Sequence, residues 1–204
     1  MIKTVGKKTI LYVMAADAEY GPQLRAAITP LLCGVGPVES AIATTRALHE
    51  HRPDVVISLG SAGSAVLEQA EVYQVETVSY RDMDASPLGF GKGITPFLEL
   101  PGAIAMTAIS DGPPAKRLST GANIISGDAY GMIDADMVDM ETFAIKRACM
   151  VYDTPLIGLR GISDGAADLH HIDDWTRYLD VIDGKLAKAV EQLETAIADG
   201  ASLA

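Results

Sequence analysis

The sequence predicts an α/β fold. Short apolar, β-branched runs recur along the chain, and stretches of helical periodicity lie between them. The runs break at Gly, Pro and Asp clusters that suit turns. A hydrophobic fraction of 49% with only 5% aromatic residues calls for a core packed by Ala, Val, Ile and Leu, as is usual for this class. The 204 residues fit a single domain spanning 1–204, with no internal repeat, low-complexity tract or linker.

Residues 9–14 read as a first strand, short and apolar. Residues 20–32 hold a helix with Pro22 in its first turn, where a missing N–H does no harm. Cys33-Gly34-Val35-Gly36-Pro37 is a glycine turn. From Val38, the residues Ala41, Ile42, Thr45 and Leu48 fall at helical spacing, and the pattern ends within 49–53. Residues 54–59 are a buried strand that breaks at Gly60-Ser61-Ala62-Gly63, a turn whose amides can approach a ligand. Val72, Val75, Val78 and Tyr80 mark a strand over 71–80, and 81–102 is a long Gly/Pro/Asp-rich loop. A short strand over 103–109, a polar connection over 110–120 and a short strand over 122–126 follow, the last ending at Gly127-Asp128. Residues 140–152 form a helix and 155–162 a strand. Residues 173–198 form a long amphipathic helix interrupted near Gly184.

The formal net charge of −11 argues against a nucleic-acid backbone or an anionic membrane surface as partner, but not against a nearly neutral nucleoside. Cys33 and Cys149 are the only cysteines, with no Cys-x-x-Cys, so a reduced cytoplasmic compartment is expected. The basic N-terminal stretch leads into an apolar run that Asp17 and Glu19 interrupt, unlike a signal peptide or a membrane span. Adjacent His170 and His171 lack metal-ligand spacing, so no metal and no cofactor is expected. Neither a Gly-x-Ser-x-Gly elbow nor a Gly-x-x-x-x-Gly-Lys loop occurs.

Carboxylates carry the functional signal. Ligands of open α/β sheets bind beyond the carboxyl ends of strands. Asp17 and Glu19 follow the first strand, and Asp164 follows the apolar run before it. Glu141 opens the helix of 140–152. An ionised carboxylate there can accept two vicinal hydroxyls, or simply serve as a first-turn acid. Asp164 suits a general acid or a helix cap. Arg160 sits in an otherwise apolar strand, and a buried Arg demands a partner, for which Glu19 and Glu141 are the candidates.

Six segments in order resemble the nucleoside phosphorylase and nucleosidase superfamily, and within it the 5′-methylthioadenosine/S-adenosylhomocysteine nucleosidases. They are Ala16-Asp17-Ala18-Glu19, Gly34-Val35-Gly36, Pro53-Asp54-Val55-Val56-Ile57 running into Gly60-Ser61-Ala62-Gly63, Ser126-Gly127-Asp128-Ala129-Tyr130, Val138-Asp139-Met140-Glu141, and Arg160-Gly161-Ile162-Ser163-Asp164. The resemblance implies a three-layer αβα phosphorylase-type fold around a twisted mixed sheet, and N-glycosidic hydrolysis of a small-molecule nucleoside. By that resemblance Glu19 orients the attacking water, and Glu141 grips the ribose 2′- and 3′-hydroxyls with Met140 packed against the sugar. Asp164 protonates the purine at N7, supported by Ser163. Ser61 and Arg160 contact ribose and water, and Ala62 and Gly63 form part of the binding wall. Tyr130 stacks on the purine where relatives often carry Phe, and the Gly131 backbone meets its edge. The family implies a homodimer in which a partner's loop 81–101, with Leu88 where an aromatic often stands, closes the 5′ side. Asp139 replaces a more usual Glu and is expected to point away from the site. Ser64 stands where a second Gly is common, and 102–122 is too short for the helix the family has there. The alternatives are a purine nucleoside phosphorylase, a nucleosidase for AMP or futalosine, and an inactive nucleoside-binding protein. An acid at the nucleophile position favours water over phosphate, although Arg25, Arg46 and Arg81 are possible phosphate ligands.

Overall fold

In the computed structural model, which describes residues 2–203, nine strands form one mixed sheet with helices packed against both faces. The strands are β1 (Ile2–Val5), β2 (Lys8–Met14), β3 (Leu31–Leu32), β4 (Val55–Gly63), β5 (Val72–Tyr80), β6 (Ala103–Ala105), β7 (Ala115–Thr120), β8 (Met137–Asp139) and β9 (Leu156–Asp164). The helices are α1 (Pro22–Ala27), α2 (Pro37–His51), α3 (Thr142–Val151), α4 (Ile172–Thr176) and α5 (Leu179–Ala198).

β2, β4 and β9 run parallel, and β9 is buried at every residue, which explains its continuous apolar reading. Alternate residues of these strands serve opposite faces. Ile10, Tyr12, Val55 and Ile57 pack with α5 residues Leu186, Val190 and Leu193. Leu11, Val13 and Val56 pack with Leu48 of α2 and with Ile145 and Cys149 of α3. β9 also pairs antiparallel with the start of β5, β5 pairs with β7, β7 with β8, and β8 returns to β4 at Gly63↔Val138. The pairings therefore close a circuit β4–β9–β5–β7–β8. A register shift at Ala62/Gly63 leaves Ser163 as an extra residue of β9 before Gly63 pairs with Asp164, and Gly63 also pairs with Val138 of β8.

Several sequence expectations are corrected. Gly60-Ser61-Ala62-Gly63 is not a turn but the last four residues of β4, paired with β9. The predicted helix over 20–32 is shorter, and the chain goes on to the two-residue β3 beside β2. The strand expected over 122–126 lies upstream as β7, in the stretch read as polar connection, because β5 and β8 bury its Leu118, Ser119 and Thr120. The last helix is broken at Arg177–Tyr178, not near Gly184, which lies inside α5. β1 and β8 carry too few residues to show a periodicity of their own. The 81–102 loop is irregular apart from one turn of 3-10 helix over Ser86–Leu88.

One long-range cap positions the site. Asp183, buried within α5, accepts hydrogen bonds from the backbone N–H groups of Gln23 at 2.8 Å and Leu24 at 3.0 Å. It satisfies donors at the start of α1 that the helix cannot pair itself. The 3-10 turn Asp17–Glu19 immediately precedes that helix.

Candidate active site

A cavity of about 290 Å³ lies at the carboxyl ends of β2, β4, β8 and β9. Glu19, Glu141 and Asp164 all line it, together with Ser61, Gly63, Met140 and Ser163. The hydrogen bonds that hold each carboxylate come from different elements.

Glu19 is buried, and its Oε1 accepts from the Ser61 backbone N–H and from Ser61 Oγ, both at 2.6 Å. Gly60 lies beneath the same carboxylate, where a Cβ would stand 3.3 Å from both of its oxygens. Burial raises the Glu19 pKa; the Ser61 bonds and the Arg160 charge oppose that rise, and the Asp139 charge adds to it. Asp17, two residues earlier, instead turns outward and pairs with exposed Arg25.

Glu141 stands at the N-terminal boundary of α3 but does not cap it. Asp139 takes that role, its Oδ2 accepting from the Thr142 N–H at 3.0 Å. Glu141 is thereby free to face the cavity, where its Oε1 accepts from the Gly36 N–H at 2.8 Å. Gly36 has φ +93, a left-handed conformation that glycine adopts without strain, and this aims its N–H at the carboxylate. Burial first, then the Asp139 charge, pushes the Glu141 pKa up to about 7.

Asp164 ends β9. Its Oδ1 accepts from Ser163 Oγ at 2.6 Å and its Oδ2 from the Tyr130 hydroxyl at 3.2 Å. Burial raises its pKa, and these two hydrogen bonds oppose the rise. No helix starts at Asp164, so a capping role is ruled out.

Arg160 is 2% exposed, as its apolar strand requires, but its partner is neither Glu19 nor Glu141. Its Nη2 donates to Asp139 Oδ2 at 3.0 Å and to Ser58 Oγ at 3.0 Å, and its Nη1 donates to the Leu159 and Ser58 carbonyls. The Asp139 side chain is 1% exposed and points into the protein beneath the cavity, as expected, where it holds Arg160 and its Oδ1 accepts from Thr120 Oγ1 at 2.6 Å. Thr120 from β7 and Thr142 from α3 both donate to it. A second, polar cavity of about 10 Å³ lies below the first, walled by Glu19, Ser58, Ser61, Glu141 and Arg160.

The other sequence candidates are placed as follows. Met140 lines the cavity beside Glu141. The Ala62 carbonyl, on buried β4, lies 3.4 Å from Ser163 Oγ. Tyr130 and Gly131 sit on the 3-10 turn Gly127–Met132, with Gly131 exposed. Leu88 is 79% exposed on the 81–102 loop, away from this chain's own cavity. Ser64 is buried and ties the end of β4 to the Asp136 carbonyl at 2.6 Å.

Sequence reasoning missed Trp175. It lines the cavity from α4, and its indole N–H donates to Ser61 Oγ at 2.9 Å. An indole N–H is a donor only, so the Ser61 hydroxyl must turn its own proton to Glu19. The signal available was that Trp175 is the only tryptophan in the chain. Arg81, Asn123, Ile124, Ile125 and Leu169 also reach the cavity without any motif. Among the described residues no group of three or more His, Cys, Asp or Glu side chains could hold a metal, and no helix is long and apolar enough to cross a membrane.

The chain belongs to the phosphorylase superfamily, whose profile matches residues 23–123. The 5′-methylthioadenosine/S-adenosylhomocysteine nucleosidase of Haemophilus influenzae (strain 86-028NP) is 33% identical over 156 residues, covering 68% of each chain. The enzyme of the same name from Staphylococcus aureus (strain JH9) is 30% identical over 151 residues, 64% of this chain and 65% of that one. Among solved structures, the Colwellia psychrerythraea 34H nucleosidase in complex with adenine superposes with a TM-score of 0.79 at 20% identity, over 95% of this chain and 96% of the other. Helicobacter pylori futalosine hydrolase gives 0.73 at 18% identity, over 93% and 97%. These two structures share the fold.

Proposed function

We propose that the protein hydrolyses the N-glycosidic bond of 5′-methylthioadenosine, S-adenosylhomocysteine or both, releasing adenine and the 5′-thio-ribose. The observation that carries this reading is the convergence of Glu19, Glu141 and Asp164 on one cavity. The reaction needs a base for water, a grip on the sugar and an acid for the leaving base, and each carboxylate is held in a setting suited to one of these. Water attacks C1′ and gives a proton to Glu19, the C1′–N9 bond breaks, and Asp164 delivers its proton to N7. The positive charge that develops on the sugar lies near the anionic carboxylates. The small cavity between Glu19, Ser58, Ser61 and Arg160 is about the size that one water requires.

Water is favoured over phosphate as nucleophile because the nearby guanidinium groups are mostly engaged, with only Arg81 Nε left without a partner among the described residues. Arg160 is paired with Asp139, and Arg81 donates to the Ser119, Asp139 and Asn123 carbonyls. Glu19 would repel an incoming phosphate. Adenine release from methylthioadenosine in a phosphate-free, chelator-treated buffer is the direct test. Strict dependence on phosphate would overturn hydrolysis in favour of phosphorolysis, and release only from AMP or futalosine would reassign the substrate.

Glu141 must be ionised to accept two ribose hydroxyls. With its pKa pushed up to about 7, it takes up a proton as the pH falls below neutrality. The value of kcat/KM is therefore expected to fall between pH 8 and pH 6, approaching tenfold per pH unit on the acid side. A flat profile over that interval would remove Glu141 from sugar recognition.

We also propose a homodimer in which the partner's 81–101 loop walls the 5′ end of the site. Phe97 is 94% exposed and Leu88 79% exposed on that loop, an apolar surface that a second copy would cover. Phe90 and Phe97 pack edge to face within the loop. Light scattering is expected to give twice the chain mass, and a fully active monomer at assay concentration would contradict the proposal.

A further inference from the structure

Among the described residues, the Tyr130 side chain is the hydrogen-bond donor to the oxygen of Asp164 left free by Ser163. Its hydroxyl donates to Oδ2 at 3.2 Å, while Ser163 occupies Oδ1 at 2.6 Å. The fit is close. A Cβ on Gly63 would overlap the Tyr130 hydroxyl and come within 2.5 Å of Asp164 Oδ2, so the contact exists because position 63 has no side chain. Tyr130 sits on a short 3-10 turn, half-buried, and is not wedged into the core.

We propose that the Tyr130 hydroxyl holds, in the ligand-free protein, the place on Asp164 Oδ2 that the acceptor nitrogen of the purine takes when substrate binds. This rests on the assignment of Asp164 as the acid and adds to it a residue that sets when the acid is ready. Both carboxylate oxygens then accept from hydroxyl groups, which favours the ionised form. A protonated Asp164 with its proton on Oδ2 requires Tyr130 to turn its hydroxyl or withdraw. When the base arrives, Oδ2 exchanges a donor for an acceptor, and that exchange favours retention of the proton until it is needed at N7. Tyr130 is thus a positioning residue that keeps the acid discharged without substrate and releases it on binding. The other ionisable groups lining the cavity with Asp164 are Glu19, Asp139, Glu141 and Arg81. None of them is hydrogen-bonded to Asp164 among the described residues.

The test compares wild type with Tyr130→Phe, which removes the hydroxyl and keeps the ring. In the free protein, the Asp164 carboxyl carbon is followed by NMR against pH, its resonance assigned by its loss in Asp164→Asn. Its midpoint is expected to move upward in Tyr130→Phe. Adenine binding, read from Trp175 fluorescence, is expected to be about three- to tenfold tighter in the variant on the alkaline side. The basic limb of kcat/KM, which reports the free enzyme, moves with it, while the basic limb of kcat, which reports the complex, stays where it was. Tyr130→Leu should give the same upward movement of the midpoint, which separates the hydroxyl from ring packing and serves if the Phe variant does not fold. Superimposable titrations in wild type and variants, or a midpoint that moves down, overturn the proposal. A protein that shows the titration shift but releases no adenine from any nucleoside keeps this inference and loses the hydrolase reading.

Discussion

Asp164→Asn is expected to lower kcat by about 10²-fold or more while adenine still binds. The amide keeps the shape of the carboxyl group and can still hydrogen-bond to Ser163 and Tyr130, whose contacts lie at 2.6 and 3.2 Å. It has no proton to give to N7. An unprotonated purine is a poor leaving group, so the loss falls on the chemical step and not on affinity. The environment supports the acid role, since burial raises the pKa of Asp164 above its ordinary value despite the opposing Ser163 and Tyr130 hydrogen bonds. Turnover near the wild-type level at neutral pH would place the acid elsewhere. Single-turnover adenine release, together with a separate binding measurement, distinguishes a chemical loss from a binding loss.

Asp139→Ala is expected to destabilise the fold by about 3–5 kcal/mol, read from the midpoint of urea unfolding. The side chains of Asp139 and Arg160 are 1% and 3% exposed, and their ion pair at 3.0 Å lies below the cavity floor. Removing the carboxylate leaves a guanidinium buried without its counter-charge. It also strips the acceptor from Thr120 Oγ1 and from the N–H and hydroxyl of Thr142. Asp139→Asn keeps part of that hydrogen bonding and should be less severe. A loss below about 1 kcal/mol in the alanine variant would show that Arg160 finds another partner or water.

The strands that bury both faces were the most legible part of the fold. β4 and β9 announce themselves as mostly apolar runs because both of their faces are buried, with Ser58 and Arg160 as a polar pair set into them. β7 was not legible: Ala115-Lys116-Arg117 reads as surface, and only its neighbours β5 and β8 make a strand of it. The glycines of the Gly60–Gly63 segment suggested a turn because local propensity disfavours Gly in strands. The segment is a strand because it pairs with β9, and glycine stands at 63 because Tyr130 and Asp164 approach too closely for a Cβ. Within the site, the carboxylates at strand and helix edges could be read directly, but their partners could not. The match of Arg160 to Asp139 depends on two threonines from distant elements, and the choice of Asp139 over Glu141 as the cap of α3 is a matter of side-chain direction. Trp175 reaches Ser61 across 114 residues of sequence, and no local pattern encodes such a contact.

The Asp183 bonds to Gln23 and Leu24 span 160 and 159 residues, and Tyr12 is tied to Glu194 across 182. The early and late segments of the chain are therefore clasped together. During synthesis the turn that carries Glu19 emerges first, but the helix that fastens it emerges among the last residues described. Contacts of such long sequence separation form late and slowly. A nascent or C-terminally clipped chain would hold the strands of the sheet but lack the acceptor for the start of α1, the helix that follows the Glu19 turn, so that side of the cavity is completed as a closing event of folding.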